Sequence, residues 1–326
     1  MSEFGFSALY KQKLDHLRPR LEEEFLLLDQ HLLKSYPVES YAQRFDLWER
    51  RRGYHFVPSE ISRECEKIAT KTGLRGLELY HKILLVSLIE NYEERQKRHR
   101  IPDSVQQLIP REFDRILTRM EYAEDGFYLH SNDLFAKDLG LCRLKLLPCG
   151  SEVVDVWSGI PRSTFLRGGV FQLIRGTMFL PRLGGFKPLY ESHWDRRLVR
   201  QFTARQYDLF YARIADLLRL NSDIEGMFGS SWWFDPKLED IAPELLFLRR
   251  TPVENGAKIF RLGPDTGALR DAVQFSNKRK KLYESRNYIP SRYMLVWARA
   301  DILHWADRFA ASEKQKSPQE FSEHRV

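Results

Sequence analysis

The chain has 326 residues, of which 43% are hydrophobic and 30% charged, a composition typical of globular rather than disordered proteins. The formal net charge of +7 is carried by Lys and Arg scattered along the sequence, which argues against a dedicated nucleic-acid-binding protein. The three cysteines are an odd number and form no CxxC pair, so we expect neither a disulfide framework nor a structural zinc site, and a reducing, cytoplasmic location.

Residues 1–20 contain several charges and no continuous apolar run, so we expect no signal peptide. No stretch approaches the roughly 20 apolar residues that a membrane-spanning helix needs. We therefore expect no membrane span.

The first 121 residues have apolar side chains at the spacing of amphipathic helices. The clearest stripe contains Leu77, Tyr80, Leu84, Leu88 and Tyr92. Gly73 precedes it and closes the helix before it, as glycine does at helix C-termini. The pattern predicts a helical region over residues 1–121, which we take as a candidate surface for homodimer formation.

From residue 122 onward, short apolar runs alternate with helical patterns. We predict strands at 127–130, 142–147, 153–157, 186–193, 224–234, 258–262 and 293–297, and helices at 196–220, 238–250, 266–283 and 302–309. The glycine-rich stretch 159–186 fits either a helix or a loop over a site. Alternation of this kind predicts an α/β (α+β) domain with a mixed sheet over residues 122–311, followed by a flexible tail over 312–326.

The densest cluster of chemically active side chains follows the predicted strand 186–193. Glu191 and His193 would point to one side of that strand, and a carboxylate beside an imidazole can transfer protons near neutral pH. Arg196 and Arg197 could hold a phosphate together with the first amides of the next helix. The alternative interpretation is a network of salt bridges at a helix start.

A second cluster, Ser230, Ser231, Trp232 and Trp233, lies at the end of the next predicted strand. Adjacent tryptophans on a strand cannot both face one core, so we interpret this segment as a candidate substrate-binding wall. Core packing and helix capping are the alternative roles. The basic stretch Asn277–Lys281 fits either a solvated helix face or contact with an anionic partner.

His193 and Asp195 also match the first half of a two-histidine, one-carboxylate iron site. His304 is the downstream histidine that would complete it. An Fe(II) oxygenase is therefore a weaker alternative, which requires these three residues to meet.

The order of elements from 186 to 262 resembles the core of the GNAT-type acyltransferases. In that family a strand leads into a helix whose N-terminus holds the acyl-CoA pyrophosphate, and a second strand and helix follow. The resemblance implies that Asp195, Arg196 and Arg197 bind the cofactor acyl-CoA, and that Glu191 or His193 is the general base. Residues 195–200 contain no glycine, whereas the loop of the family usually does.

Two classes of function follow from these observations. The first is an acyl-CoA-dependent acyltransferase, or a degenerate relative, that acts on a small-molecule substrate; it predicts that Glu191, His193 and Trp232 or Trp233 converge in one pocket. The second is a non-catalytic binding or assembly protein with an anionic or protein partner. It predicts that the charges at 190–197 are paired with one another, with no cavity beside them.

Overall fold

The computed structural model describes residues 3–48, 50, 52–274 and 276–320. The chain folds into two compact units, the first formed by residues 1–149 and 153–158 and the second by residues 150–152 and 159–326. The first unit continues beyond the predicted boundary at 122. The division into separate domains at that residue stays a prediction.

The first unit is built from helices and one hairpin. Its elements are α1 (Glu3–Leu26), α2 (Leu32–Ser35), α3 (Val38–Asp46), α4 (Ser59–Glu90), α5 (Tyr92–Gln96), α6 (Asp103–Gln106), α7 (Ile109–Arg119), α8 (Asp133–Cys142), β1 (Leu146–Pro148) and β2 (Val153–Ser158). Helix α1 packs against α4 and α7, and the apolar stripe of α4 is buried. The backbone of Gly73 has a φ of +73° inside α4, which confirms the predicted break.

The hairpin β1–β2 is antiparallel, with Leu147 opposite Val154, as predicted. The strand predicted at 127–130 is wrong, because these residues lie in turns. Their aromatic side chains are buried without strand pairing: the Tyr128 N–H donates to the Glu78 carboxylate and the Tyr128 carbonyl accepts from His81.

The second unit has a four-stranded mixed sheet with helices around it. Its strands are β3 (Leu189–His193), β4 (Gly226–Ser231), β5 (Lys258–Pro264) and β6 (Ser291–Ala298), and its helices are α9 (Gly169–Phe179), α10 (Ala204–Leu220), α11 (Leu238–Ile241), α12 (Phe247–Glu254), α13 (Thr266–Gln274), α14 (Asn277–Glu284) and α15 (Arg299–Glu320). The strand order is β3-β4-β6-β5. Strands β3 and β4 are parallel, and the other two pairs are antiparallel. The predicted α/β fold with a mixed sheet is confirmed.

Several predicted helices are interrupted in the structure. The helix predicted at 196–220 is a 3-10 turn over Arg196–Gln201, followed by α10, which begins after the Thr203 cap. The helix at 238–250 breaks at Ala242, where Pro243 follows, and the one at 266–283 breaks before the Ser276 cap. Helix α15 runs to Glu320, past the predicted tail start at 312; residues 321–326 of that tail lie outside the described residues.

Helix α9 resolves the ambiguous glycine-rich stretch. Its inner side joins the core of the second unit, which contains Phe165, Phe179, Leu183, Leu189, Phe228, Phe260, Met294, Val296 and Ala298. Within the described ranges, no helix combines the length and the apolar character that a bilayer crossing requires.

Candidate functional site

The parallel strands β3 and β4 end side by side in the second unit. Glu191 lies opposite Phe228 and Ser192 opposite Gly229, immediately before both strands end. A Cβ at position 229 would lie 2.3 Å from the Ser192 Oγ, so glycine gives the serine side chain its space. Ligands bind preferentially at the carboxyl ends of parallel strands, which makes this end of the sheet the first place to look for a site.

A pocket of about 150 Å³ lies at these strand ends. It is lined by Glu152, Ser192, Trp194, Ser230, Ser231, Trp232, Trp233, Phe234, Ala268, Asp271 and Arg292. All four residues predicted as a substrate-binding wall therefore share one cavity. Its volume is below the range of roughly 300–1,000 Å³ that encloses a whole drug-sized ligand, and it suits the reacting end of a larger substrate.

Glu152 is the buried carboxylate of this pocket. Its side chain is only 4% exposed, and its Oε1 accepts a hydrogen bond of 2.9 Å from the Tyr207 hydroxyl on α10. Burial, and then the nearby Glu152 carboxylate, raise the pKa of Tyr207 well above its ordinary value of 10. Tyr207 therefore keeps its proton and holds the carboxylate in place as a donor.

Trp233 supplies a buried donor at the same pocket. The residue is 8% exposed, and its indole Nε1 has no hydrogen-bond partner among the described residues. Buried N–H groups in native proteins are nearly always paired, because an unpaired one costs about 1–3 kcal/mol. This unpaired N–H belongs to a side chain that lines the pocket.

The predicted catalytic residues lie beside the pocket rather than in its wall. His193 Nε2 is 3.9 Å from Glu191 Oε2, so the two side chains share one side of β3 as expected. The neighbouring residues Ser192 and Trp194 line the pocket, whereas Glu191 and His193 are not among its lining residues. Side chains alternate along a strand, which separates the predicted pair from Trp232 and Trp233. The catalytic role of Glu191 and His193 stays a prediction.

The predicted cofactor-binding residues are largely engaged with one another. Asp195 is 2% exposed, and both its oxygens accept from Arg197 Nε, at 2.9 and 3.0 Å. Asp195 also caps the 3-10 turn by accepting from the Arg197 backbone N–H, while Arg196 is exposed. The structure thus combines a cavity with the paired charges that the assembly alternative predicted. The binding of acyl-CoA by these three residues stays a prediction.

The iron-site alternative is wrong. Within the described part of the chain, the only group of three potential metal-ligating residues is Cys65, His81 and His130. His193, Asp195 and His304 therefore do not bring their ligand atoms together. Asp195 is committed to Arg197, and His304 lies exposed on α15.

The group in the first unit is centred on a tyrosine. The Tyr41 hydroxyl lies 3.1 Å from Cys65 Sγ, 3.0 Å from His81 Nε2 and 2.7 Å from His130 Nε2. His81 Nδ1 donates to the Tyr128 carbonyl, so its Nε2 accepts from Tyr41, and Cys65 and His130 can donate to the Tyr41 oxygen. The cluster is therefore explained as a hydrogen-bonded core network.

The basic helix α14 contributes to the wall behind the pocket. The guanidinium of Arg279 lies 4.8 Å from the ring centre of Trp232, and its Nε donates to the Ala272 carbonyl. Arg279 is thus a buried packing residue, whereas Lys278, Lys280 and Lys281 are exposed, and their solvated or anion-binding role stays a prediction.

Sequence reasoning missed Glu152, Asp271 and Arg292 in the pocket. Glu152 lies in the turn of the predicted hairpin, about 40 residues before β3, and strand spacing alone does not link the two segments. The only indication of Glu152 in the sequence was its position, a carboxylate between Ser151 and the apolar run that begins at Val153.

No family model and no curated protein matches this chain. Solved structures with a similar arrangement include an acyltransferase in complex with CoA and 10C-Teicoplanin, which is 13% identical with a TM-score of 0.43 over 68% of each chain. An acyltransferase in complex with decanoyl-CoA and teicoplanin is 14% identical, with a TM-score of 0.42 over 68% of each chain. A third, in complex with decanoyl-CoA, is 12% identical, with a TM-score of 0.40 over 68% of this chain and 66% of that chain.

Proposed function

We propose that the protein is an acyltransferase that moves an acyl group from acyl-CoA to a small-molecule acceptor in the pocket at the ends of β3 and β4. The observation that carries the proposal is that Glu152, a buried carboxylate, and Trp233, whose indole N–H has no partner among the described residues, line one cavity. Acyl transfer needs a base for the attacking group and a donor for the developing oxyanion.

The order of elements supports this reaction class. Strand β3, helix α10, strand β4, helix α12 and strand β5 follow one another in the order that the GNAT-type resemblance implies. The pocket lies where the two parallel strands end, which is where α/β proteins tend to bind their ligands. A GNAT-type identity is part of the proposal.

The proposed chemistry uses the residues of the pocket as follows. Glu152 takes a proton from the amine or hydroxyl of the acceptor, whose heteroatom attacks the thioester carbonyl carbon. Trp233 Nε1, with the Ser230 or Ser231 hydroxyl, donates hydrogen bonds to the carbonyl oxygen as it becomes negative. The C–S bond then breaks, CoA leaves as a thiolate, and the proton returns to the sulfur.

Binding is the first test. Purified protein is heated with CoA, with acyl-CoAs of increasing chain length, and with ATP as a nucleotide control. A ligand at 100 times its Kd stabilises the native state by about 2.7 kcal/mol, so we expect a clear rise in Tm with acyl-CoA and none with ATP. Equal Tm values with all of these ligands would contradict the proposal.

Catalysis is tested by release of free thiol from acyl-CoA in the presence of a panel of amines and alcohols. We expect E152Q to lower kcat/KM by about 100-fold or more, as loss of a general base does, and W233F to lower kcat by at least about tenfold. Melting curves of each variant show whether it remains folded.

The matched variants E191Q and H193A decide between the two candidate bases. If Glu152 is the base, both variants keep most of the activity, because their side chains lie outside the pocket wall. Loss of activity in E191Q or H193A with full activity in E152Q would instead support the pair predicted from sequence and overturn the assignment of Glu152.

A further inference from the structure

Helix α9 has an apolar side that no other described part of the chain covers. Phe171 is 88% exposed, Met178 76% and Val170 70%. Ile174 and Leu173 complete this outer side, and Leu166 and Phe186 add two more exposed apolar side chains nearby. We call these seven residues the α9 patch. Contiguous apolar surface of this kind marks an interaction site.

The opposite side of α9 is firmly attached to the second unit. The Gln172 amide donates to the Arg261 carbonyl at 3.0 Å and accepts from the Arg261 N–H at 2.7 Å. A Cβ at position 176 would lie 2.3 Å from the Phe165 ring, so Gly176 allows the helix to approach closely. Since this inner side is fixed, the α9 patch cannot turn inward to bury itself.

The segment that carries the α9 patch is strongly basic. Residues 159–190 contain Arg162, Arg167, Arg175, Arg182 and Lys187 and no Asp or Glu. Arg182 pairs with Asp301 and Lys187 with Glu225. In the described ranges, none of the ion pairs includes Arg162, Arg167 or Arg175, and all three are exposed.

We propose that the α9 patch docks the protein onto the surface of an anionic lipid bilayer. An interfacial helix presents large apolar side chains to the lipid and places Lys and Arg beside them, which is the arrangement of α9 and its flanking arginines. Phe171, Ile174 and Met178 enter the acyl-chain boundary, while Arg162 and Arg167 meet the lipid phosphates and carboxylates. The helix lies on the bilayer and does not cross it.

The positive charge of residues 159–190 favours an anionic bilayer over a second copy of the chain as the partner of the α9 patch. Arg182 and Lys187 are already offset by their carboxylate partners, but a symmetric dimer through the α9 patch would still bring together Arg162, Arg167 and Arg175 from both copies, six arginines without a carboxylate of the segment to offset them. A bilayer with anionic lipids offers both an apolar layer and a negative surface, and each nearby cation strengthens its attraction.

The test is co-sedimentation of the full-length protein with vesicles of phosphatidylcholine alone and of phosphatidylcholine mixed with phosphatidylserine. We expect binding to the mixed vesicles that weakens with added salt, and little binding to phosphatidylcholine alone. The variants F171E/M178E and R162E/R167E should each lower the affinity by at least about tenfold. The altered side chains are exposed, so melting curves should match the wild type.

Matched controls use the first unit. L27E changes another apolar side chain, which is 82% exposed, and R63E reverses another exposed arginine; both should bind vesicles like the wild type. Equal binding of all variants, or no binding to either vesicle, would overturn the proposal. So would a wild-type dimer that F171E/M178E converts to monomer, or saturable binding to an acidic protein without affinity for vesicles.

Discussion

At the scale of single residues, the most informative groups outside the pocket are two histidines of the first unit, the buried His81 and the half-buried His130. Burial, opposed by the hydrogen bond to the Tyr128 carbonyl, lowers the pKa of His81 from 6.5 to about 4. Burial, and then the neighbouring His81 and Arg143, lower the pKa of His130 to about 2. Both imidazoles are therefore neutral at pH 7, and the Tyr41 network depends on that state.

This neutrality predicts loss of stability in mild acid. The folded-state pKa of His81 is below the unfolded value, so its contribution is fully present above pH 6.5 and is lost as the pH falls towards 4. A shift of this size corresponds to about 3 kcal/mol. We expect the free energy of unfolding, measured by urea titration, to fall over this range.

The control for this prediction is a pair of variants. H81Q removes one of the two titrating groups and should reduce, without abolishing, the pH dependence between 6.5 and 4, although it lowers stability at pH 7. H16Q, on the exposed side of α1 and outside the Tyr41 network, should leave the free energy of unfolding at pH 7 close to that of the wild type. An unchanged slope in H81Q would contradict the assignment.

The residues at the ends of β3 and β4 show which positions could be predicted from the sequence and which could not. Spacing of two residues correctly placed Glu191 and His193 on one side of β3, because strand geometry fixes that relation. Which side of β3 faces the pocket depends on tertiary packing, and in the structure Ser192 and Trp194 line the pocket. Glu152 was missed because only the folded chain brings it near β3 and β4.

At the scale of elements, the order of strands and helices from 186 to 262 was predictable, while their ends were not. Apolar periodicity identifies the faces of α10 and β4 whatever their length. The breaks at Phe202, at Ala242 and before Ser276 depend on local features such as the Thr203 and Ser276 caps. Such caps interrupt a helical pattern without changing its periodicity.

The break at Gly73 gives a quantitative prediction. Its φ of +73° lies in the left-handed region, and a Cβ there would touch nothing within 4 Å. Its ψ of 178° completes a conformation that essentially only glycine adopts, so G73A should destabilise the protein by about 1–3 kcal/mol through backbone strain alone.

Gly53 is the matched control, because a Cβ there also meets nothing within 4 Å and its φ is not in the left-handed region. G53A should change the free energy of unfolding by less than about 1 kcal/mol. Equal effects of the two substitutions in chemical denaturation would refute the role given to the backbone of Gly73.

At the scale of the whole molecule, the two compact units divide the chain near 150, whereas the sequence predicted a boundary at 122. Composition changes at 122 because the helical patterns pause there, but α8 still packs against α4 and α7. All the residues of α8 from Leu134 to Cys142 are buried. Residues 122–149 therefore belong to the same compact unit as the helices before them, while the domain boundary at 122 stays a prediction.

Expression of separate fragments tests whether the chain divides at 122 or near 150. Residues 122–326 should express poorly in soluble form, because α8 would lose the helices that bury it. Residues 1–158 keep those contacts and should be soluble, with a helical circular dichroism spectrum. A soluble, cooperatively melting fragment 122–326 would support the boundary predicted from sequence.

The amide of Gln172 has a consequence for how the protein behaves at high concentration. Strand β5 is the outermost strand of its sheet, and an open strand edge is a template on which a second chain can add a strand. By occupying both backbone polar groups of Arg261, Gln172 removes the middle of that template. Arg175 on the same helix donates to the Ile259 carbonyl of β5, so α9 as a whole covers part of this edge and lowers the tendency of the sheet to grow by addition of a second chain.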